Sequence, residues 1–201
     1  MILTDPTLGA AVSDAVREAE ARTSAELVVV ISGRSGSYRD LVLSAAMGGG
    51  FFALCFLAWS PVVFWGSLFP LWTAVATALS ALVASSSPPL LRALAGRTRR
   101  ERQVREAAAA AFSAEAVYAT RGRTGVLVYV SVLECRVELV ADQGVNRILS
   151  VAELEELRPG CGTVLELVAG LAKLGARLAV ALPAEAGGNP DEADDAPRMR
   201  G

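Results

Sequence analysis

The sequence predicts an α/β fold: a small mixed β-sheet flanked by helices and interrupted by a two-helix transmembrane hairpin. Three observations lead to this class. Residues 41–91 contain no Asp, Glu, Lys or Arg, and a bilayer core needs about 20 apolar residues per helix, so this run could cross twice. Two strand-like segments, Glu26–Ile31 and Gly125–Leu133, each follow a helical pattern. A third strand-like segment, Arg136–Ala141, follows the second.

Residues 1–38 are predicted to form one helix–strand unit. Asp5 and Pro6 are typical of a helix start. Apolar residues recur at helical spacing from Leu8, and the helix is expected to end near Arg22. The segment Glu26–Ile31 is almost continuously apolar, which predicts a strand that is buried on both faces.

The uncharged run is expected to form a hairpin within residues 39–91, with crossings at about 41–60 and 65–84. Turn-forming residues separate the crossings: Ser60, Pro61, Gly66 and Pro70. Three tryptophans near this turn, Trp59, Trp65 and Trp72, are typical of an interface belt. Small residues should let the two helices approach closely; they are Gly48, Gly49 and Gly50 in the first, and Thr73, Thr77 and Ala81 in the second.

A group of arginines follows the second crossing: Arg92, Arg97, Arg99, Arg100, Arg102 and Arg105. Because positive residues favour the cytoplasmic side, a multi-pass protein of the inner (cytoplasmic) membrane is expected, with its soluble domain and both termini in the cytoplasm. The same arginines should anchor the topology and attract anionic lipid head groups. A nucleic-acid patch is the weaker interpretation, because no aromatic residues are interleaved with them. No nucleic-acid partner is expected.

Residues 92–183 are predicted to complete the domain, beginning with an alanine-rich helix over Arg102–Tyr118. After the second and third strands come two capping boxes, Ser150 with Glu153 and Thr163 with Glu166, which predict a short and a long helix. The long helix, which should end near residue 182, is apolar enough to be considered a third crossing, but its charged residues argue against insertion. Residues 184–201 are expected to be a disordered tail.

The two soluble pieces repeat one pattern. Ala21–Val30 and Gly122–Val130 both place an Arg-Thr pair and a small residue between a helix and an apolar strand. We therefore expect the two strands to lie side by side as the central strands of one sheet. The hairpin is then an insertion between two like units of a single domain.

These segments, together with Val137–Gly144, resemble the TPM domain family. Within it, the chain is similar to the bacterial, membrane-anchored branch with an insertion between the first strand and the second helix. The resemblance spans roughly residues 5–182 and implies an α/β sandwich. Some family members have been linked to acid phosphatase activity, some bind calcium, and plant members assist photosystem repair. The stretch Arg158–Gly162 departs from the family's acidic, aromatic-containing pattern.

The composition argues against the commonest catalytic routes. The chain contains no histidine, which removes Ser-His and Cys-His nucleophile pairs and nearly all zinc sites. It has no P-loop motif either. The three cysteines, Cys55, Cys135 and Cys161, show neither ligand-like spacing nor the pattern of a disulfide framework. The residues therefore favour a protein that is not an enzyme, with no catalytic residue to nominate.

One pair of carboxylates is a metal-site hypothesis. Glu26 begins the first strand and Asp142 ends the third, so the two could face one cleft if those strands are antiparallel neighbours. Oxygen ligands of this kind suit calcium, although calcium takes six to eight of them. In the plainer interpretation, Glu26 pairs with Arg22 or Arg123, and Asp142 holds a turn.

Together these features predict a membrane-anchored cytoplasmic domain that is a non-enzymatic interaction or assembly module, whose partner is another membrane protein. Two alternatives stay open. One is a metal-assisted phosphatase, which the TPM resemblance alone implies, and the other is a sensor of anionic lipid surfaces, which the arginines suggest. No cofactor is expected, apart from calcium at the Glu26–Asp142 pair.

Overall fold

The predicted class is confirmed by a computed structural model, which describes residues 5–61, 65–120, 122–184 and 196–200. The chain forms two compact units. One comprises Met1–Ser35 with Glu101–Gly201 and holds the sheet, and the other is Gly36–Arg100. The predicted hairpin segment, 39–91, lies inside the second unit.

The sheet of the first unit is mixed, and its strand order is β3-β2-β1-β4. Strand β1 is Glu26–Ser32, β2 is Gly125–Ser131, β3 is Arg136–Ala141 and β4 is Arg198–Arg200. β1 pairs in parallel with β2 over seven residues, from Glu26 opposite Gly125 to Ser32 opposite Ser131. Every residue of both strands is buried. The expectation that these two strands occupy the centre of one sheet is confirmed.

Helices cover both faces of the sheet in this unit. One face packs against α1 (Leu8–Glu20), α5 (Gln143–Asn146), α6 (Val151–Glu156) and α7 (Val164–Ala181). The other face packs against the second half of α4 (Pro88–Ala114), through Val104, Ala108 and Ala111. Successive strand residues alternate between these two apolar clusters, which explains the continuous apolar pattern of β1 and β2.

Helices α1 and α7 pack at close range. Four of the five leucines of α7, at positions 167, 171, 174 and 178, are fully buried. A methyl group added at Gly175 would lie 2.5 Å from the Cβ of Ala19, so only glycine allows this approach. The buried stripe accounts for the high apolarity of α7, and this helix is not among the candidate membrane spans of the described residues.

The helix after the hairpin differs from its prediction at both ends. A helix was expected over Arg102–Tyr118, whereas α4 begins at Pro88 and ends at Ala114. Proline is well suited to a first helical turn, and a break at Gly96, with φ of 68°, interrupts the helix. The end comes early because Ala116 takes a left-handed conformation, with φ of 51°.

The predicted disordered tail is wrong for its last described residues. Residues 185–195 and 201 lie outside the described part of the chain, but Arg198–Arg200 forms β4 alongside β1. The Gly-, Pro- and Asp-rich composition that suggests disorder ends at Pro197. Beyond it, both arginines form ion pairs with Glu115, and these pairs hold the strand in place.

Both capping boxes begin helices, as predicted. At α6, Ser150 and Glu153 make the full reciprocal box. At α7, the Thr163 hydroxyl accepts a hydrogen bond from the Glu166 N–H, but the Glu166 carboxylate accepts from Gly162 instead of returning to Thr163.

We predict that Glu153→Gln destabilises the domain at pH 7 and that this effect fades in acid. Hydrogen bonds from the Ser150 backbone and from Arg177 lower the pKa of Glu153 to about 2 from the usual 4.5. A lowered folded-state pKa stabilises the fold above about pH 4.5, and this stabilisation is lost as the pH falls towards 2. Thermal unfolding of the variant and the wild type between pH 7 and pH 2.5 measures the difference.

Glu156→Gln is the matched control, because Glu156 is exposed on the same helix and its substitution changes the charge equally. A melting-temperature difference for Glu153→Gln that stays constant from pH 7 to pH 2.5 would contradict the prediction.

Candidate functional site

The second unit contains two helices that are long and apolar enough to span a membrane. They are α2 (Arg39–Trp59) and a segment over Gly66–Ser86 that includes α3 (Phe69–Ser86). The predicted crossings at 41–60 and 65–84 fall on these helices. Residues 62–64 of the predicted turn lie outside the described residues. Large apolar side chains point outward along both helices; Phe51 is 70 %, Phe52 74 % and Leu82 60 % exposed.

Small residues set the contact between α2 and α3. A methyl group added at Gly49 would collide with the Ser80 side chain, and one added at Gly50 would collide with the Thr77 hydroxyl. The Thr77 hydroxyl itself donates to the carbonyl of Thr73, one helical turn earlier. Of the small residues that the sequence nominates, Gly50 meets Thr77, whereas Gly49 meets Ser80 and Gly48 meets nothing within 4 Å. Close packing at small residues is typical of helix pairs in membranes.

An ion pair joins the start of α2 to α4. Arg99 Nη1 lies 2.6 Å from Asp40 Oδ2, and Nη2 donates to Asp40 Oδ1 at 2.8 Å. The guanidinium also donates to the Ser37 carbonyl and lies 5.7 Å from the centre of the Tyr38 ring. Such a two-pronged Arg–carboxylate pair fixes orientation as well as charge.

The other arginines of the predicted anchor are divided between the two units. Arg92, Arg97 and Arg100 belong to Gly36–Arg100, as Arg99 does, whereas Arg102 and Arg105 follow its boundary. Arg102 pairs with Glu106 at 3.8 Å and Arg105 pairs with Glu138 at 3.7 Å. At least three of the six arginines therefore face a carboxylate of the same chain, which reduces the charge that they offer to an external anion.

The two carboxylates of the metal hypothesis lie at the same end of the sheet. Glu26 pairs with Gly125 across β1 and β2, and the Asp142 N–H donates to the Gly125 carbonyl from the other side. β1 and β3 are thus not neighbours, since β2 lies between them. Both carboxylates are buried, at 3 % and 4 % exposed.

The Asp142 carboxylate already accepts hydrogen bonds from other groups of the protein. Arg123 donates to both of its carboxylate oxygens, at 2.8 and 3.1 Å, and the backbone N–H of Gln143 donates to it at the start of α5. Asp142 caps the start of α5, and Arg123, which the plainer interpretation offers as a partner of Glu26, pairs with Asp142 instead. Among the residues that the structure describes, no group of three or more His, Cys, Asp or Glu side chains could hold a metal ion.

A buried polar network that the sequence does not predict lies at the C-terminal end of β2, opposite the end near Glu26 and Asp142. Glu134 and Ser131 are both fully buried, and the Ser131 hydroxyl donates to the Glu134 carboxylate. The same carboxylate accepts the Ser35 N–H at 3.0 Å. A serine beside a carboxylate resembles a nucleophile–base pair, but full burial excludes substrate. The network instead fixes Ser35, where the chain leaves the first unit.

The cysteines also form an unpredicted neighbour pair. The sulfurs of Cys135 and Cys161 lie 2.7 Å apart, although the residues are 26 positions apart in sequence. Burial, followed by the contact with Cys135, raises the pKa of the Cys161 thiol to about 12. Cys161 is therefore protonated and unreactive near neutral pH, whereas Cys135 is exposed.

A groove of about 470 Å³, lined by both apolar and charged side chains, runs beside β3, between the strand and α6. Glu138 lies in it between two cations, 3.7 Å from Arg105 and 3.2 Å from Arg158. Arg158 also contacts Glu155. Two positive and two negative groups balance here, so the groove does not select an anion or a cation.

The fold and these features define an α/β protein with two helices that are long and apolar enough to span a membrane. No family model and no curated protein matches the chain. Among solved structures, it is similar to the NMR structure of the BA42 protein from the psychrophilic bacterium Bizionia argentinensis. The identity is 18 %, the TM-score is 0.57, and the match covers 97 % of this chain and 94 % of that one. At this identity the likeness shows the fold alone, and the TPM resemblance stays a prediction.

We predict that Gly49→Ala destabilises the helix pair of the second unit, whereas Gly48→Ala does not. The added methyl group at position 49 collides with Ser80, but at position 48 it meets nothing within 4 Å. Overpacking of this kind costs about 1–3 kcal/mol. Denaturant unfolding of the full chain in detergent micelles, followed by tryptophan fluorescence, measures both variants. Equal stability of the two would show that close packing at Gly49 does not hold the helices together.

We predict that titrating the full chain with calcium or magnesium at millimolar concentration gives no heat. Asp142 is saturated by Arg123 and the start of α5, and calcium needs more oxygen ligands than this pair of carboxylates provides. Asp142→Asn is the matched variant. Heat from the wild type that disappears in Asp142→Asn would instead support the metal hypothesis.

Proposed function

We propose that this protein is a membrane-anchored cytoplasmic domain that serves as a non-enzymatic interaction or assembly module of the inner membrane. The observation that carries the proposal is the apolar surface of α2 and α3. Large apolar side chains on both helices are exposed along their length. Soluble monomers rarely expose so much continuous apolar surface, and a bilayer would cover it.

The arginines after α3 support a cytoplasmic orientation for the soluble unit. Positive residues that flank a crossing favour the cytoplasmic side. Residues 65–91, which run from the end of the turn through the second crossing to the residue before Arg92, carry no charge. The pairing of Arg99 with Asp40 supports an anchoring role at the base of α2. Contact of the arginines with anionic lipid head groups is proposed as a contribution to anchoring. Because Arg102 and Arg105 also face carboxylates, lipid sensing is the weaker alternative.

An interaction role fits the polar groups better than catalysis does. Ser131, which lies beside the Glu134 carboxylate, is fully buried, and the Ser150–Glu153 pair caps α6. Asp142 is paired with Arg123. The metal-assisted phosphatase that the TPM resemblance implies needs a ligand set, and no described feature favours one. We therefore propose that the domain acts by binding another membrane protein.

We predict that Cys135 is labelled by a membrane-impermeant maleimide only after lysis of bacterial spheroplasts that express the chain. Cys135 is exposed on the soluble unit, while the pKa of Cys161, about 12, keeps that thiol unreactive. The spheroplasts are first treated with a permeant reductant, which is washed out before the maleimide is added. In the same membranes, amine cross-linking should give a discrete adduct between the chain and a second membrane protein.

The control variant carries Cys135→Ser together with Pro61→Cys, which places a thiol at an exposed residue between the two crossings. This variant should be labelled in intact spheroplasts. Labelling of wild-type Cys135 without lysis would contradict the orientation, and release of the chain by alkaline carbonate would contradict the anchor. The absence of any cross-linked partner would contradict the interaction role.

A further inference from the structure

One edge of the sheet is closed by the chain's own tail. β4 runs parallel to the end of β1, with Arg198 opposite Val30, Met199 opposite Ile31 and Arg200 opposite Ser32. The pairing continues one residue further, since the Gly33 N–H donates to the Arg200 carbonyl at 3.1 Å. This is the geometry of strand addition, in which backbone hydrogen bonds bind an extended segment to a free sheet edge.

Side-chain selectivity at this edge comes from Glu115. It lies directly after α4, and its side chain is only 18 % exposed. Its two carboxylate oxygens face two cations: Arg198 Nη1 at 2.9 Å and Arg200 Nη2 at 2.6 Å. Because successive strand residues point to opposite faces, the two arginines share one face. One carboxylate can therefore pair with basic residues at alternate positions.

Little else holds β4 in place. The strand has three residues, none of which is buried, and Met199 is 55 % exposed on the other face. No residue of β4 belongs to either apolar cluster of the sheet, whereas all seven residues of β1 are buried. Segments with few buried apolar contacts open at low free-energy cost, without unfolding the domain.

From these observations we propose that the β1 edge, Val30–Gly33, together with Glu115, is a binding site for an extended peptide with basic residues at two alternate positions, and that the tail occupies it reversibly. The tail strand that occupies the site indicates the class of partner. Its Arg-x-Arg segment pairs with the backbone of the β1 edge and with the Glu115 carboxylate. The site would serve the proposed interaction function, and its biological role rests on that proposal. The tail then acts as an internal competitor that a partner segment must displace.

Binding of a fluorescent peptide with the sequence of residues 196–200 tests the proposal. The full chain in detergent is compared with a variant that carries Arg198→Glu and Arg200→Glu, whose tail is repelled by Glu115. A tethered tail competes at high effective concentration. The variant should therefore bind the peptide at least tenfold more tightly than the wild type. The same peptide with both arginines replaced by glutamate should not bind.

Hydrogen exchange at Gly33 provides a residue-level readout. Its amide should exchange slowly in the wild type and at least tenfold faster in the double variant, and added peptide should slow it again. Protection of the amides of β2 confirms that the variant is folded. If it is not, Glu115→Gln serves as the second variant: Gly33 exchange should quicken, and peptide binding should stay as weak as in the wild type.

Equal peptide affinity of the wild type and the double variant would overturn the proposal, as would equal binding of the basic and acidic peptides. Unchanged Gly33 exchange in every folded variant would overturn it as well. None of these measurements depends on membrane insertion or orientation, so their failure is distinct from a failure of the anchor.

Discussion

The parallel pairing of β1 with β2 is the constraint on which the rest of the first unit depends. It joins residues that are 99 positions apart, since Glu26 lies opposite Gly125, and it buries both strands completely. Both apolar clusters include residues of these two strands. Loop-closure entropy rises only slowly with length, by about 0.6 kcal/mol per doubling. The two-helix segment between the strands therefore adds little to the cost of bringing them together.

Sequence patterns located the strands well because burial on both faces leaves a continuous apolar signal. Each of the first three strands lies within two residues of its expected position, and Arg136–Ala141 matches at both ends. The alanine-rich composition of α4 indicated a helix but not its bounds, which depend on Pro88 and on the left-handed residue Ala116. The strand Arg198–Arg200 was missed because three residues are too few for a periodic pattern, and its stability comes from the distant Glu115.

The contacts at the candidate sites also differ in how far the sequence could predict them. A basic partner at this end of the sheet could be anticipated, but the sequence assigns Arg123 to Glu26, whereas the structure pairs it with Asp142. The Cys135–Cys161 contact and the Ser35–Glu134 hydrogen bond could not, because each joins loops that are far apart in sequence and carry no motif. The apolar helices are the opposite case, since length and composition alone define them.

The end of β1 is where the distant elements of the first unit converge. Its last three residues carry β4, and Gly33, the next residue, donates to the Arg200 carbonyl. Two residues later, the N–H of Ser35 is held by the buried Glu134, and the chain then leaves for the apolar helices. A segment that binds the β1 edge as β4 does therefore pairs with the central sheet as far as Gly33, two residues before Ser35. A partner strand at this position would end close in sequence to the residue at which the chain leaves the first unit, and this is consistent with the proposed assembly role.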